Sequence, residues 1–98
     1  MQIEKSDIVV SLNGRDEGKP FYVLEIDGEY SFLADGKVRR VEKPKQKKLK
    51  HIRFEKKDMS RVSEKIRSGE KVTNSEIRRS LAEQFAEDRG EKGGMQIG

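Results

Sequence analysis

Asp27-Gly28 and Asp35-Gly36 stand eight positions apart, and each lies between runs rich in β-branched and aromatic residues. A two-residue type I′ turn needs positive φ at both central positions, which Asp tolerates and Gly adopts freely, so Asp-Gly between such runs is a strong hairpin signal. Read this way, residues 20 to 26 form a strand, with Pro20 at its start because proline cannot donate to a ladder. Residues 29 to 34 and 37 to 41 form the next two. A three-stranded meander is therefore predicted.

Upstream, Ile8, Val10 and Leu12 alternate with Val9 and Ser11 and stop at Asn13-Gly14, which predicts a first strand over 8 to 12 followed by a loop to Gly18. Downstream, Lys45-Gln46-Lys47-Lys48 reads as a solvated loop, and residues 49 to 54, with Ile52 and Phe54 between basic residues, read as a closing strand. Only 32% of the chain is apolar and 41% is charged, so five short strands cannot build two full sheets. They can curl into one small barrel that hides its edges. The expected fold is mainly β, an SH3-like barrel of about five strands with one or two helices after it.

The periodicity changes at Asp58. Met59, Val62 and Ile66 fall on one face of a helix over 59 to 68 that Gly69 would stop. Thr73-Asn74-Ser75-Glu76 is a capping-box sequence. Behind it Ile77, Leu81 and Phe85 recur every four residues beside Ala82 and Ala86, and Gly90 offers an exit. An isolated helix of this length is marginal in water, so the stripe is expected to pack on the barrel. The alternative is a stripe held out for a protein partner. The expected division is a barrel with its basic loop over 1 to 57, a helical extension over 58 to 90 and a disordered tail over 91 to 98.

Charge is blocked by sign. Residues 1 to 36 carry three Lys or Arg against eight Asp or Glu, residues 37 to 57 carry eleven against two, and residues 58 to 98 carry eight of each. A block with nine positive charges in excess repels itself unless an anion offsets it, and a polyphosphate partner fits. The candidate contacts in the block are Lys37, Arg39, Arg40, Lys43, Lys45, Lys47, Lys48, Lys50, His51 and Arg53, with Tyr22, Tyr30, Phe32 and Phe54 as candidate interleaved rings.

Catalysis finds little support. Cysteine is absent and His51 is the sole histidine, so a thiolate nucleophile, a Cys or His-pair zinc site and a nucleophile-base pair have no residues to build them. Asp16-Glu17 and Glu87-Asp88 read as solvated surface, and the glycines at 14 and 18 lack the Gly-Lys-Ser/Thr ending of a phosphate loop. The expectation is a protein without enzymatic activity, cofactor or metal. Ile8-Val9-Val10 is far short of a signal region or membrane span, so the expected location is cytoplasmic. Membrane adsorption by the polybasic segment lacks an apolar anchor.

The stretch from Asp7 to Lys19, followed by Phe21 to Asp27, resembles a KOW motif, an alternating strand, a loop ending in a fixed glycine, here Gly18, and a second apolar strand. With Ala34-Asp35-Gly36-Lys37 and the lysine run before His51, residues 7 to 54 are similar to small bacterial KOW-domain RNA-binding proteins, themselves similar to large-subunit ribosomal proteins of archaea and eukaryotes. The resemblance implies an SH3-like barrel that binds RNA, often ribosomal RNA, through the loop around residues 14 to 19. Arg15 and Lys19 would then face phosphate, and Gly18 would supply the bend and close approach. Acidic Asp16 and Glu17 leave that loop near neutral, so the charge count favours residues 37 to 57 as the main contact. The expected function is noncatalytic RNA binding by a monomer, on the ribosome or during its assembly. The alternative is a protein-interaction adaptor acting through the barrel and the stripe Ile77, Leu81 and Phe85.

Overall fold

The computed structural model describes residues 2–93, with side chains as far as residue 85. The Glu87-Asp88 side chains and residues 94–98 of the expected tail lie outside the described part. Strands β1 (Ile8–Ser11), β2 (Pro20–Asp27), β3 (Tyr30–Ala34), β4 (Lys45–Lys48) and β5 (Ile52–Lys56) form one antiparallel sheet in the order β4-β3-β2-β1-β5. A single 3-10 turn, Leu49–His51, joins the two outer strands β4 and β5. Helices α1 (Arg61–Ser68) and α2 (Asn74–Gly93) come after the sheet.

Phe21-Tyr22-Val23-Leu24 looks apolar on both sides of a strand because both sides are covered. Phe21 and Val23 pack with Val9, Leu33 and Ile52 on one face of the sheet. On the other, Tyr22 and Ile8 pack with Ala34 against Val62 and Ile66 of α1 and Ile77 and Leu81 of α2. Between Val23 and Glu25 the β2–β3 register slips, so two β2 residues oppose one on β3. This bulge reverses the facing of the last part of β2, and Ile26 joins the cluster of Phe21 and Val23 while Leu24 sits against the helices.

The capping box forms as the sequence predicts. The Glu76 amide donates to Thr73 Oγ1 at 3.1 Å and the Thr73 amide to Glu76 Oε1 at 2.9 Å. Lys65 of α1 holds the Glu76 carboxyl below its usual range, with help from the Thr73 amide. Gly69 ends α1 in the left-handed region, at φ +82°. Met59 is a correction: Ser60 caps α1, so Met59 precedes the helix and is 73% exposed. Gly90 is another, since α2 runs on to Gly93. The α2 stripe packs within the chain, with Ile77 and Leu81 buried and Phe85 half-buried against the same cluster.

One buried polar group fastens this helical layer to the sheet. The Tyr22 hydroxyl donates to Asp58 Oδ2 at 2.6 Å and shares a 2.6 Å hydrogen bond with Ser80 Oγ. Gln84 Nε2 donates to Asp58 Oδ1 at 3.1 Å, and Ser60 Oγ donates to Asp58 Oδ2. Burial and the Asp58 carboxylate push the Tyr22 hydroxyl from 10.0 up to about 12. The folded state therefore holds that proton more tightly than the unfolded chain. The stability this contributes is complete below 10.0 and is lost as pH rises towards 12. Tyr22 is thus an anchor inside the molecule and offers no ring to a ligand. Among the described residues, no helix is long and apolar enough to cross a membrane.

Candidate nucleic-acid interface

Both Asp-Gly turns differ from the sequence reading, and the second sets the shape of the basic surface. In the first, Asp27 pairs with Tyr30, so Gly28 and Glu29 occupy the turn, and Gly28 is the one with positive φ, at +64°. Positive φ at the first central position alone is the type II′ pattern rather than I′. In the second no hairpin forms. Asp35 Oδ1 accepts from the amides of Lys37 and Arg39, each at 2.9 Å, and the Asp35 amide donates to the Arg39 carbonyl at 2.8 Å. These bonds turn residues 37–41 into a tight loop instead of the predicted strand, and strand β4 comes later, from the lysine-rich residues expected to be solvated.

Tertiary contacts hold that loop from two sides. Arg39 reaches Asp16 Oδ2 with Nη2 at 2.8 Å and Nε at 3.2 Å. Asp16, expected at the surface, is only 6% exposed, so this pair ties the loop after β3 to the loop between β1 and β2. On the other side the Val41 amide donates to Asn74 Oδ1 at 2.8 Å, Asn74 Nδ2 donates to Glu42, and Arg78 donates to the Gly36 carbonyl at 2.8 Å. Gly36 lies so close to α2 that a Cβ there would collide with the Asn74 carbonyl. Arg39 is therefore a structural clamp whose guanidinium is engaged by a carboxylate.

The other candidates divide between two places. At one end of the sheet, Lys47 of β4 donates to the Asn13 carbonyl at 3.2 Å, and the Leu12 amide donates to the His51 carbonyl at 2.9 Å. These bonds bring Arg15, Lys47, Lys50 and His51 to the junction of the first loop and the 3-10 turn. Along the other side, Lys19, Lys37 and Arg53 line a groove of about 600 Å³ between the sheet and α2, with Gly18 at its margin. Gly18 has φ +82° and its amide donates to the Ser11 carbonyl at 2.8 Å, which gives the expected bend. A Cβ there would meet nothing within 4 Å, so no close approach by the protein itself requires glycine.

Lys48 belongs to neither place. Paired with Tyr30 across the β3–β4 ladder, its ammonium lies 5.9 Å from the ring centroid, a cation–π distance. Glu25 and Asp27 oppose Phe32 and Tyr30 from β2, so this aromatic face has acidic neighbours and is poorly suited to phosphate. Lys45 stands near the start of β4 opposite Leu33, and Lys43 is exposed in the preceding turn.

The two carboxylates inside the basic block are both engaged by it. Glu42 lies 3.6 Å from Arg40, and Glu55 lies 3.2 Å from Arg53. Lys57 is drawn off to Glu4 and Asp7, which hold its ammonium above the usual lysine range. Among the described residues, Lys37, Lys43, Lys45, Lys47, Lys48, Lys50 and Lys56 form no ion pair with a carboxylate. No cluster of three or more His, Asp or Glu among the described residues is placed to hold a metal ion.

Sequence reasoning missed Arg78. Arg78, Ala82 and Phe85 fall at i, i+4 and i+7, a helical face next to the Ile77 and Leu81 stripe, and that spacing was the available signal. In the structure this face lines the groove opposite Lys19, Lys37 and Arg53. Searches with protein-family models and against curated proteins find no match to this chain.

Proposed function

We propose that this protein is a noncatalytic RNA-binding module built on an SH3-like barrel of the KOW type, acting in the cytosol on ribosomal RNA. The observation that carries the reading is the set of seven lysines between residues 37 and 57 with no carboxylate partner among the described residues. Several are held on strands and pinned loops. Placed cations of this kind neutralise phosphates at little ordering cost, and lysines without an ion-pair partner present their charge to an outside polyanion.

The barrel reading is supported by the connectivity. The outermost strands β4 and β5 are consecutive in the chain and separated by one 3-10 turn, whose Leu49 amide donates to the Glu29 carbonyl at 2.7 Å at the far hairpin. The β1–loop–β2 unit, with Gly18 in the left-handed region, supports the KOW-type reading. An adaptor role through Ile77 and Leu81 is disfavoured because exposing them would open the core that holds α2.

Sedimentation of a cell lysate through sucrose gradients, with and without ribonuclease and at two salt concentrations, tests the proposal. Co-migration with a ribosomal subunit that ribonuclease or salt abolishes, with crosslinks in ribosomal RNA, is the expected result. For about six phosphate contacts on single-stranded RNA, log affinity should fall against log salt with a slope near −4. Sedimentation as free protein without RNA crosslinks would overturn it.

A further inference from the structure

We infer that the groove between the sheet and α2 seats one unpaired nucleotide of the bound RNA, its base on an apolar floor and its phosphate at the cationic rim. This deepens the RNA-binding reading and rests on it. The floor is made by Val10, Leu81 and Phe85, Val38 stands at the lip, and the rim carries Lys19, Lys37, Arg53 and Arg78. Two carboxylates also line the groove. Asp35 is spent on the Lys37 and Arg39 amides and Glu55 on Arg53, which leaves two positive charges in excess at the rim.

Shape selects the occupant. The groove's volume of about 600 Å³ lies within the range of small-molecule pockets, roughly 300–1,000 Å³. A paired base cannot reach a concave floor, whereas an unstacked base can be laid on apolar and aromatic side chains. Val38 is 67% exposed at the lip, and the Asp35 turn holds its backbone there. The loop bearing Lys37 and Val38 and the helix bearing Arg78 and Phe85 are joined by the Arg78–Gly36 and Asn74–Val41 hydrogen bonds, so both walls are set before any ligand arrives. The helical extension thus becomes part of the RNA site rather than a separate adaptor.

The test uses the full chain with a labelled uridylate octamer, a blunt RNA duplex of matching nucleotide count and an octamer carrying 5-iodouridine for photocrosslinking. Val38→Glu places a carboxylate at the lip without touching the core, and Ala82→Glu, at an exposed helical position lining the same groove, is a second variant should the first fail to fold. The octamer should bind more tightly than the duplex, and either variant should cost about tenfold or more of octamer affinity while leaving duplex affinity within about twofold. Crosslinks should fall in residues 35–38 and 78–85. Unchanged octamer affinity in a folded variant, or crosslinks confined to Arg15, Lys47 and Lys50, would overturn the groove while leaving RNA binding intact. Displacement of the octamer by an equal concentration of oligoglutamate would overturn it in favour of an acidic peptide. A wild-type protein that binds neither RNA would remove the RNA-binding reading itself.

Discussion

Gly28 and Gly36 both follow an aspartate, and both adopt positive φ, at +64° and +81°. After Gly28 the chain returns at once as β3, whereas after Gly36 it wraps into a loop and does not rejoin the sheet until Lys45. The difference lies in what surrounds each glycine. A Cβ at Gly28 would meet nothing within 4 Å, while one at Gly36 would strike the Asn74 carbonyl and crowd Arg78. The first turn is a local device that the flanking strands complete. The second is a tertiary joint, defined by a helix that begins 38 residues later at Asn74.

The largest expected effect comes from that contrast. Gly36→Ala combines a left-handed backbone with a collision against helix backbone, and should destabilise the protein by about 2–4 kcal/mol. Chemical denaturation would measure it. Because the loop carrying Lys37 and Val38 would have to lift off α2, the amides of residues 35–41 should also lose hydrogen-exchange protection. A loss of stability no larger than that of Gly28→Ala would erase the distinction between the two turns.

Arg39→Ala comes next, at about 2 kcal/mol, because it strands the largely buried Asp16 carboxylate without the guanidinium that donates twice to its Oδ2. Its signature is a stability loss with no change in the salt slope of RNA binding, since the guanidinium is committed to a carboxylate. Lys50→Ala should do the reverse, leaving stability unchanged and reducing the slope by about 0.7. A salt slope lowered by Arg39→Ala in protein that remains folded would return Arg39 to the phosphate-contact set.

These two residues also mark what the sequence can reveal. Lys50 and Arg39 are equivalent in a charge count, and only the partner separates them. The partner, Asp16, looked like solvated surface beside Glu17. Strand β4 was illegible for a related reason. An edge strand needs backbone pairing on one side and tolerates lysines, whereas residues 37–41 carry two valines after an Asp-Gly pair and mimic a strand they do not form. By contrast β1, β2 and the α2 cap rest on local chemistry, apolar runs and a reciprocal cap, and they lie where the sequence placed them within a residue or two.

Gly28→Ala should cost about 1 kcal/mol, the strain of a side chain at positive φ and nothing more. A two-residue turn with its strands already paired has no distant contact to lose. The melting midpoint should therefore shift without any change in the protection of residues 35–41. If protection falls there as well, the first turn is coupled to the second and cannot be treated as local.

The smallest effect tests the joint from its electrostatic side. The Asn74 side-chain amide is the main cause holding the Glu42 carboxyl below its usual 4.5, ahead of the smaller contribution from Arg40. A depressed carboxyl gives stability that is present above 4.5 and is lost as pH falls through the lower folded value. Glu76, depressed by Lys65, adds to the same acid loss but owes nothing to Asn74. Comparing urea midpoints of the wild type and Asn74→Ala above and below 4.5 therefore isolates the joint, because the Glu76 contribution cancels. The wild type should lose more stability on acidification than the variant, and the gap between them should narrow as Glu42 is protonated. A gap that stays constant with pH would mean that Asn74 holds the loop through the Val41 amide alone and that Glu42 contributes no charge-dependent stability to it.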